Sequence, residues 1–439
     1  MRKTAADILT QTEQNDAYLN LVFEETLKGK KLTSIDVGFL KELVFGVYRN
    51  KILLDYIIRK NSSIRLKKIE PRILNILRCG AYQIFFMDKV PNHSAVDEAV
   101  KLSKKCASPK TVSFVNGVLR GITKTAEINL NDIKDKTEYL SVKYSYPLPL
   151  AEFFVKNFKK NAESLMASGN KSPELCVRIN TLKISKEDFK KKLDALAVDY
   201  ADTPYTDCGL YLFGATEEKR KALSGLFTVQ DQSSQLASLS LSPEPGNLVL
   251  DLCSAPGGKT THIAELMKNR GRIIASDIYP ARLKSVDTLA EKLGISIIET
   301  VARDASVADG ELLEKADFIL ADVPCSGLGI IRRKPDIKYK ENITDFSQLY
   351  EIQEKILEAA YSQLKPGGVL VYSTCTVNSG ENTEQIQKFI KKHPDMSLDK
   401  ITSEHITGEL RENKGFFEIF PHTHNSDGFF VCRMKKQEK

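Results

Sequence analysis

The sequence predicts a multidomain protein with an all-α N-terminal bundle, a small α+β middle domain and a Rossmann-like α/β core that ends in an antiparallel hairpin. Three observations carry this. The chain has 439 residues, more than one hydrophobic core usually organises, so two or three domains are expected. Its first stretch repeats apolar residues at helical spacing, without the alternation of strands. From residue 226 onward, short β-branched runs alternate with helical segments, the pattern of a parallel sheet covered by helices. The expected domains are 1–140, 141–225 and 226–439.

In the front domain, RILNILRCGAYQIFFMDK (72–89) repeats apolar residues at helical spacing and stops before Pro91. Ser94, three residues before Asp97, reads as the start of a capping box for AVDEAVKLSKK, with Asp replacing Glu. SFVNGVLRGI (113–122) is a further amphipathic stretch. Cys79, inside such a helix, reads as a small buried hydrophobe. Charge is concentrated here: residues 1–140 hold 24 Lys and Arg against 16 Asp and Glu, a net +8, while the rest of the chain carries 40 against 41. That asymmetry suits a polyanion partner such as nucleic acid, or equally a set of solvated helix faces. NHSAVDEAVKLSKK and FVNGVLRGI resemble the helical RNA-binding domain of the bacterial antitermination factor NusB, which implies contact with RNA.

The prolines of YSYPLPL (144–150) mark a boundary. Beyond it a helix over AEFFVKNF, a strand over CVRIN (176–180) and a lysine-rich helix over KEDFKKKLDAL make a small α+β domain. In the core, NLVLDL, RIIASD, SIIETV, FILADV and GVLVYST read as strands, and FFEIF (416–420) with FFVCRM (429–434) as the closing hairpin around PHTHNSDG. His422 and His424 in that turn have no third ligand suggested nearby, and no metal is expected. The composition, 42% hydrophobic and 28% charged, is that of an ordinary soluble globular protein. MRKTAADILTQTEQ lacks the apolar core of a secretory signal, and no segment offers the roughly 18 apolar residues of a membrane span. Eight cysteines without a C-x-x-C pair argue against both a zinc site and a disulfide framework. A cytoplasmic monomer with free thiols and no membrane partner is therefore expected.

Ligands of such sheets bind beyond the carboxyl ends of the strands. There the sequence places Asp251 to Lys259 (DLCSAPGGK), Asp277, Asp304, Asp322 to Ser326 (DVPCS), and Thr374 with Cys375. Gly258-Lys259-Thr260 matches the end of a phosphate-binding loop, but Cys253 stands where its leading glycine belongs. A dinucleotide fingerprint fails too, because Gly257 and Gly258 are adjacent and no third glycine follows. What fits is a nucleoside cofactor without phosphates, S-adenosylmethionine, with Asp277 placed for ribose hydroxyls; a plain tight turn is the bland alternative. Two strands also end in a thiol. C5 of a pyrimidine is not nucleophilic until a thiolate adds at C6, so paired cysteines beside an acid suit methylation at carbon. On chemistry alone Cys325, in its Pro-Cys turn, is the favourite for that thiolate.

DLCSAPGGKTTH, DVPCSGLG with RRKPDIKY, and YSTCTVNSGENTEQI resemble the signature segments of the RNA 5-methylcytosine methyltransferases, and RINTLK and FTVQDQSS match stretches upstream. The resemblance covers roughly 141–439, and the helical front narrows it to bacterial enzymes acting on small-subunit (16S) ribosomal RNA. It implies a class I methyltransferase core, S-adenosylmethionine as cofactor and ribosomal RNA as partner. By the same resemblance Cys375 is the nucleophile, Cys325 assists product release, and Asp322 and Lys259 shape the centre. Cys253, Ser254, Ala255, Pro256, Gly257, Gly258, Lys259, Asp277, Arg282, Asp304 and Asp322 surround the cofactor. Arg332, Arg333 and Lys334 follow the active loop, where they can meet phosphates or form a solvated charge run. An RNA-binding factor with a lapsed site and a nucleotide hydrolase are the alternatives from other classes.

Overall fold

The computed structural model describes residues 1–125 and 127–438 and divides into two compact units, Met1–Lys171 with Ile331–Thr344, and Ser172–Ile330 with Asp345–Lys439. No helix of the described residues is long and apolar enough to cross a membrane.

The first unit is helical. Its central helix, Pro71–Phe86, starts with proline at its first turn and Glu70 as cap. It packs against helices Arg2–Gln14, Ser34–Arg49, Lys51–Asn61, Asn92–Lys104 and Pro109–Thr123. Leu43, Leu54, Leu77, Cys79 and Leu119 are buried in the shared core, and burial pushes the Cys79 thiol up to about 12. Arg78 also lies inside, held by Asp55, Glu13 and Asn75. The expected cap at Ser94 is corrected. The helix begins two residues earlier, at Asn92, because the Pro91 carbonyl already accepts from the amides of Ser94 and Ala95.

Two features of this unit escape local sequence reading. Helices Leu148–Phe158 and Ala162–Gly169 pack here, although they lie past the expected boundary at 140, which falls inside helix Lys136–Tyr144. Segment 331–344, the continuation of the DVPCS loop, also packs here. Lys338 is fully buried, donates to the Arg49 carbonyl at 2.8 Å and Asn170 Oδ1 at 3.0 Å, and lies 4.7 Å from the centre of the Tyr146 ring. Tyr339 packs edge-on to Tyr48 and donates to the Ser145 carbonyl.

The second unit contains two sheets. The smaller is antiparallel, with β1 (Leu175–Ile179), β2 (Asp199–Asp202), β3 (Gly209–Phe213) and β4 (Phe227–Val229) in the order β2-β3-β1-β4. Helix Lys186–Ala195 contributes Phe189 and Leu193 to its core. Strand β4 lies past the expected boundary at 225, since its pairing partner, Val177 to Ile179 in β1, is some fifty positions away.

The larger sheet holds β5 (Leu248–Asp251), β6 (Arg272–Asp277), β7 (Ile298–Ala302), β8 (Ala316–Asp322), β9 (Leu364–Thr374), β10 (Met396–Leu398), β11 (Phe416–Ile419) and β12 (Phe429–Lys436). The order is β10-β12-β9-β8-β5-β6-β7, with β11 paired to β12. Strands β7 to β9 along this path run parallel and β12 antiparallel to β9. Alternate residues serve opposite faces. Val249, Leu320 and Val371 join a core with helices Gln232–Leu241 and Gly258–Leu266. Leu250, Ile319 and Leu370 join another with helices Ser347–Gln363 and Thr383–Lys392. The expected Rossmann-like core and closing hairpin are present, and β10 is an addition.

Candidate active site

From β5 the chain moves outward to β6 and β7, then returns to β8 on the other side of β5. The loops after β5 and β8 therefore diverge, and the crevice between them is where open α/β sheets bind ligands.

The β5 loop forms one wall. Gly257 adopts φ +102°, and a Cβ there would sit 3.0 Å from the Val286 Cα, so only glycine lets this turn press on helix Pro280–Leu293. Ser254 is tied to the β6 end through the Ser276 carbonyl, and Arg282 joins the Asp277 carboxylate, 3.1 Å away, to the Ala255 carbonyl. Asp251 is buried and accepts from Thr260 at 2.7 Å through one oxygen, while its other oxygen has no protein partner. Burial raises its pKa to about 7, against the pull of the Thr260 hydrogen bond. Cys253 lies on this wall, its thiol pushed upward by burial. Asp304, beyond β7, is exposed and its pKa is lowered by the hydroxyl and amide of Ser306. An orphaned buried acceptor, a glycine cradle and the Asp277 carboxylate fit a nucleoside cofactor bearing an amino acid.

The β8 and β9 ends form the other wall. Asp322 accepts from Lys259 Nζ at 2.6 Å and from Ser373 Oγ at 2.7 Å. Lys259 also lies 5.0 Å from the Phe429 ring centre. Burial, the largest single influence, lowers the lysine's pKa, but the charge and hydrogen bond of Asp322, with the charges of Cys375 and Asp251, together turn the net shift upward, so Lys259 stays charged. The Cys325 and Cys375 sulfurs lie 3.3 Å apart, although fifty residues separate them. The Gly329 amide donates to the Cys375 carbonyl, and the Gly428 amide to the Gly329 carbonyl, so three loops meet backbone to backbone. Cys325 is driven well above the ordinary thiol range by its hydrogen bond with Cys375, then by burial and the charges of Cys375 and Glu381. The shift favours the protonated form of Cys325.

The structure thus brings Lys259, Asp322, Cys325 and Cys375 together. It does not leave Arg332 at the surface: that residue is 6% exposed. Lys334 is exposed and Arg333 half-buried. Two residues near the site escaped sequence reading. Arg178 of β1 is fully buried and grips both Glu265 oxygens and the Gly258 carbonyl, tying the small sheet to the cofactor loop. Glu381 is fully buried behind the two thiols. Only their place beside recognisable motifs, RINTLK and NSGEN, could have marked them. Among the described residues no group of three His, Cys, Asp or Glu side chains could hold a metal ion.

A switch-point crevice with this loop, within a mixed sheet closed by an antiparallel hairpin, defines a Rossmann-like methyltransferase fold. Residues 238–435 match the family model for the 16S rRNA methyltransferase RsmB/F, and residues 1–124 match that of the NusB family. Residues 146–217 match the ferredoxin-like domain of RsmF/B-like proteins, a model that groups helices 148–169 with the small sheet. The chain is 36% identical to the probable ribosomal RNA small subunit methyltransferase B of Bacillus subtilis (strain 168), over 100% of this chain and 99% of that one. It is 30% identical to the ribosomal RNA small subunit methyltransferase B of Shewanella oneidensis, over 99% of each. The crystal structure of PH0851 covers 99% of this chain and 98% of its own at a TM-score of 0.80 and 27% identity. A methyltransferase homolog from Pyrococcus horikoshii covers 69% of this chain and 100% of its own, with a TM-score of 0.56 and 28% identity. The chain belongs to the RsmB/F family of 16S rRNA methyltransferases.

Proposed function

We propose that this protein transfers a methyl group from S-adenosylmethionine to C5 of a cytosine in small-subunit ribosomal RNA through a covalent cysteine–C6 adduct. The observation that carries this reading is the thiol pair, with sulfurs 3.3 Å apart, at the ends of adjacent strands beside the Lys259–Asp322 pair. Methyl transfer to an exocyclic amine needs no such pair. The Cys375 thiolate adds to C6, and the displaced electrons make C5 a nucleophile. Each Asp322 oxygen keeps a lone pair beyond its present partner, enough to accept from N4 and from a protonated N3 and so favour the adduct. Once C5 is methylated, solvent water takes its proton and the electrons left at C5 expel the Cys375 sulfur as thiolate; Cys325, which holds its own proton, assists this release by donating a hydrogen bond to the departing sulfur.

S-adenosylmethionine supplies an electrophilic methyl on sulfonium sulfur. The 253–259 loop, Asp251, Asp277 and Arg282 are the residues that would hold it, with Asp304 at the edge. The target base must leave its stack to reach the crevice. The basic helical front and the small sheet take the RNA, and Arg333 and Lys334 contact phosphates, whereas Arg332 serves packing.

The test compares Cys325→Ala and Cys375→Ala with S-adenosylmethionine and small-subunit ribosomal RNA. Cys325→Ala should accumulate a denaturant-resistant protein–RNA adduct, and Cys375→Ala should give neither adduct nor product. The reversed pattern overturns the assignment of the nucleophile, and no adduct in either variant overturns the mechanism.

A further inference from the structure

Glu381 is fully buried, and among the described residues no cation forms an ion pair with it. A buried carboxylate without a counter-charge is costly unless hydrogen bonds satisfy it. Four do. One oxygen accepts from the Ser326 amide at 2.8 Å and from Gln353 Nε2 at 3.1 Å. The other accepts from Ser326 Oγ at 2.5 Å and from Asn378 Nδ2 at 3.1 Å. Its own carbonyl accepts from the Tyr372 hydroxyl at 2.6 Å.

Two of these partners, Ser326 and Asn378, belong to the loops that carry the thiols, while Gln353 reaches in from helix Ser347–Gln363. Ser326 follows Cys325 directly, Asn378 stands three residues after Cys375, and Ser326 Oγ lies 2.7 Å from the hydroxyl of Thr376, the next residue after Cys375. The carboxylate therefore ties the backbone of one thiol loop to a side chain of the other. An ordinary stabilising role would be met by any apolar side chain of this volume, at less desolvation cost. A charged group with both oxygens on the two loops is suited to fixing where the thiols stand.

We propose that Glu381 is a positioning residue that clamps the Cys325 loop to the Cys375 loop and sets the spacing of the two thiols. This rests on the methyl-transfer reading above and adds to it what holds the two sulfurs in their separate roles. The ionisable groups facing Cys325 are Cys375, Glu381 and the buried phenol of Tyr372. Glu381 is the carboxylate among them, and its negative charge raises the cost of ionising Cys325.

Glu381→Gln keeps the shape, removes the charge and sets one amide N–H₂ against donors. With the full-length protein, small-subunit ribosomal RNA and S-adenosylmethionine, kcat should fall about 100-fold, the effect of ångström-scale misplacement of reacting groups. KM for RNA and affinity for S-adenosylmethionine should stay within twofold. The alkaline limb of the kcat profile should move to lower pH, since Cys325 then loses its proton more easily. A variant with wild-type kcat and an unmoved alkaline limb overturns the proposal, as does one whose loss is confined to thermal stability and recovered fully on cooling. Glu381→Asp, which keeps the charge but is too short to span both loops, should restore the limb without restoring kcat; full recovery of both overturns the clamp. Failure of the wild-type protein to methylate RNA would instead refute the function itself, independently of Glu381.

Discussion

Two buried lysines follow different rules. Lys259 stands beside a carboxylate, and the 2.6 Å contact to Asp322 keeps it charged despite burial. Among the described residues Lys338 meets carbonyl oxygens, an amide oxygen and aromatic faces, and no carboxylate. Burial, and then the Arg49 charge, drive its pKa well below the usual lysine range. One lysine keeps its charge beside Asp322 and Cys375, while the other uses a long side chain to satisfy backbone acceptors inside a helical unit. A lysine in a motif therefore says little until its counter-group is known.

That contrast can be broken most severely at Lys259. Lys259→Met leaves Asp322 without its cation, and single-turnover methyl transfer should drop by about 100-fold or more, the scale of losing one charged group at a reacting centre. Retained turnover would place Lys259 outside the chemistry. Lys338→Met should leave the chemical step within a few-fold but lower unfolding free energy by about 1–3 kcal/mol through its orphaned acceptors, read by denaturant titration.

The same variant sharpens the comparison through pH. Lys338 is neutral in the folded state at pH values where the unfolded chain still protonates it. The unfolded state then binds more protons, so stability rises with pH between the depressed folded pKa and the ordinary lysine value of 10.5. Lys338→Met should flatten that rise; an unchanged slope would mean the buried amine is charged. The smallest effect belongs to Lys334. Lys334→Ala should reduce the slope of log RNA affinity against log salt by about 1, whereas Arg332→Ala should leave the slope alone. Equal changes in both would return Arg332 to the RNA surface.

The strands of the main sheet and the loops at their ends were legible because a parallel strand buried on both faces is a local signal: a short β-branched run ending in Asp or Cys. Helix Pro71–Phe86 was legible for its apolar spacing and its proline stop. Less visible were pairings between distant positions. Strand β4 is three residues long and has meaning only against β1, and β10 only against β12. The Ser94 cap failed because a backbone carbonyl, which every residue possesses, took the role expected of a side chain. Arg332 read as surface charge because a basic run looks the same whether it is solvated or packed.

By itself the sequence determined the chemistry on offer: two thiols and an acid at strand ends, a glycine loop without the spacing for phosphate, and a basic helical front. These depend on residue type and on neighbours a few positions away, which periodicity and motif register directly. Only the tertiary structure decided that the sulfurs lie 3.3 Å apart, that Glu381 spans both of their loops, and that the strap after Ile330 is buried in the helical unit. Each is a contact between segments tens to hundreds of residues apart. Hydrogen bonds and burial act through space, and the residues that share them leave no periodic trace along the chain.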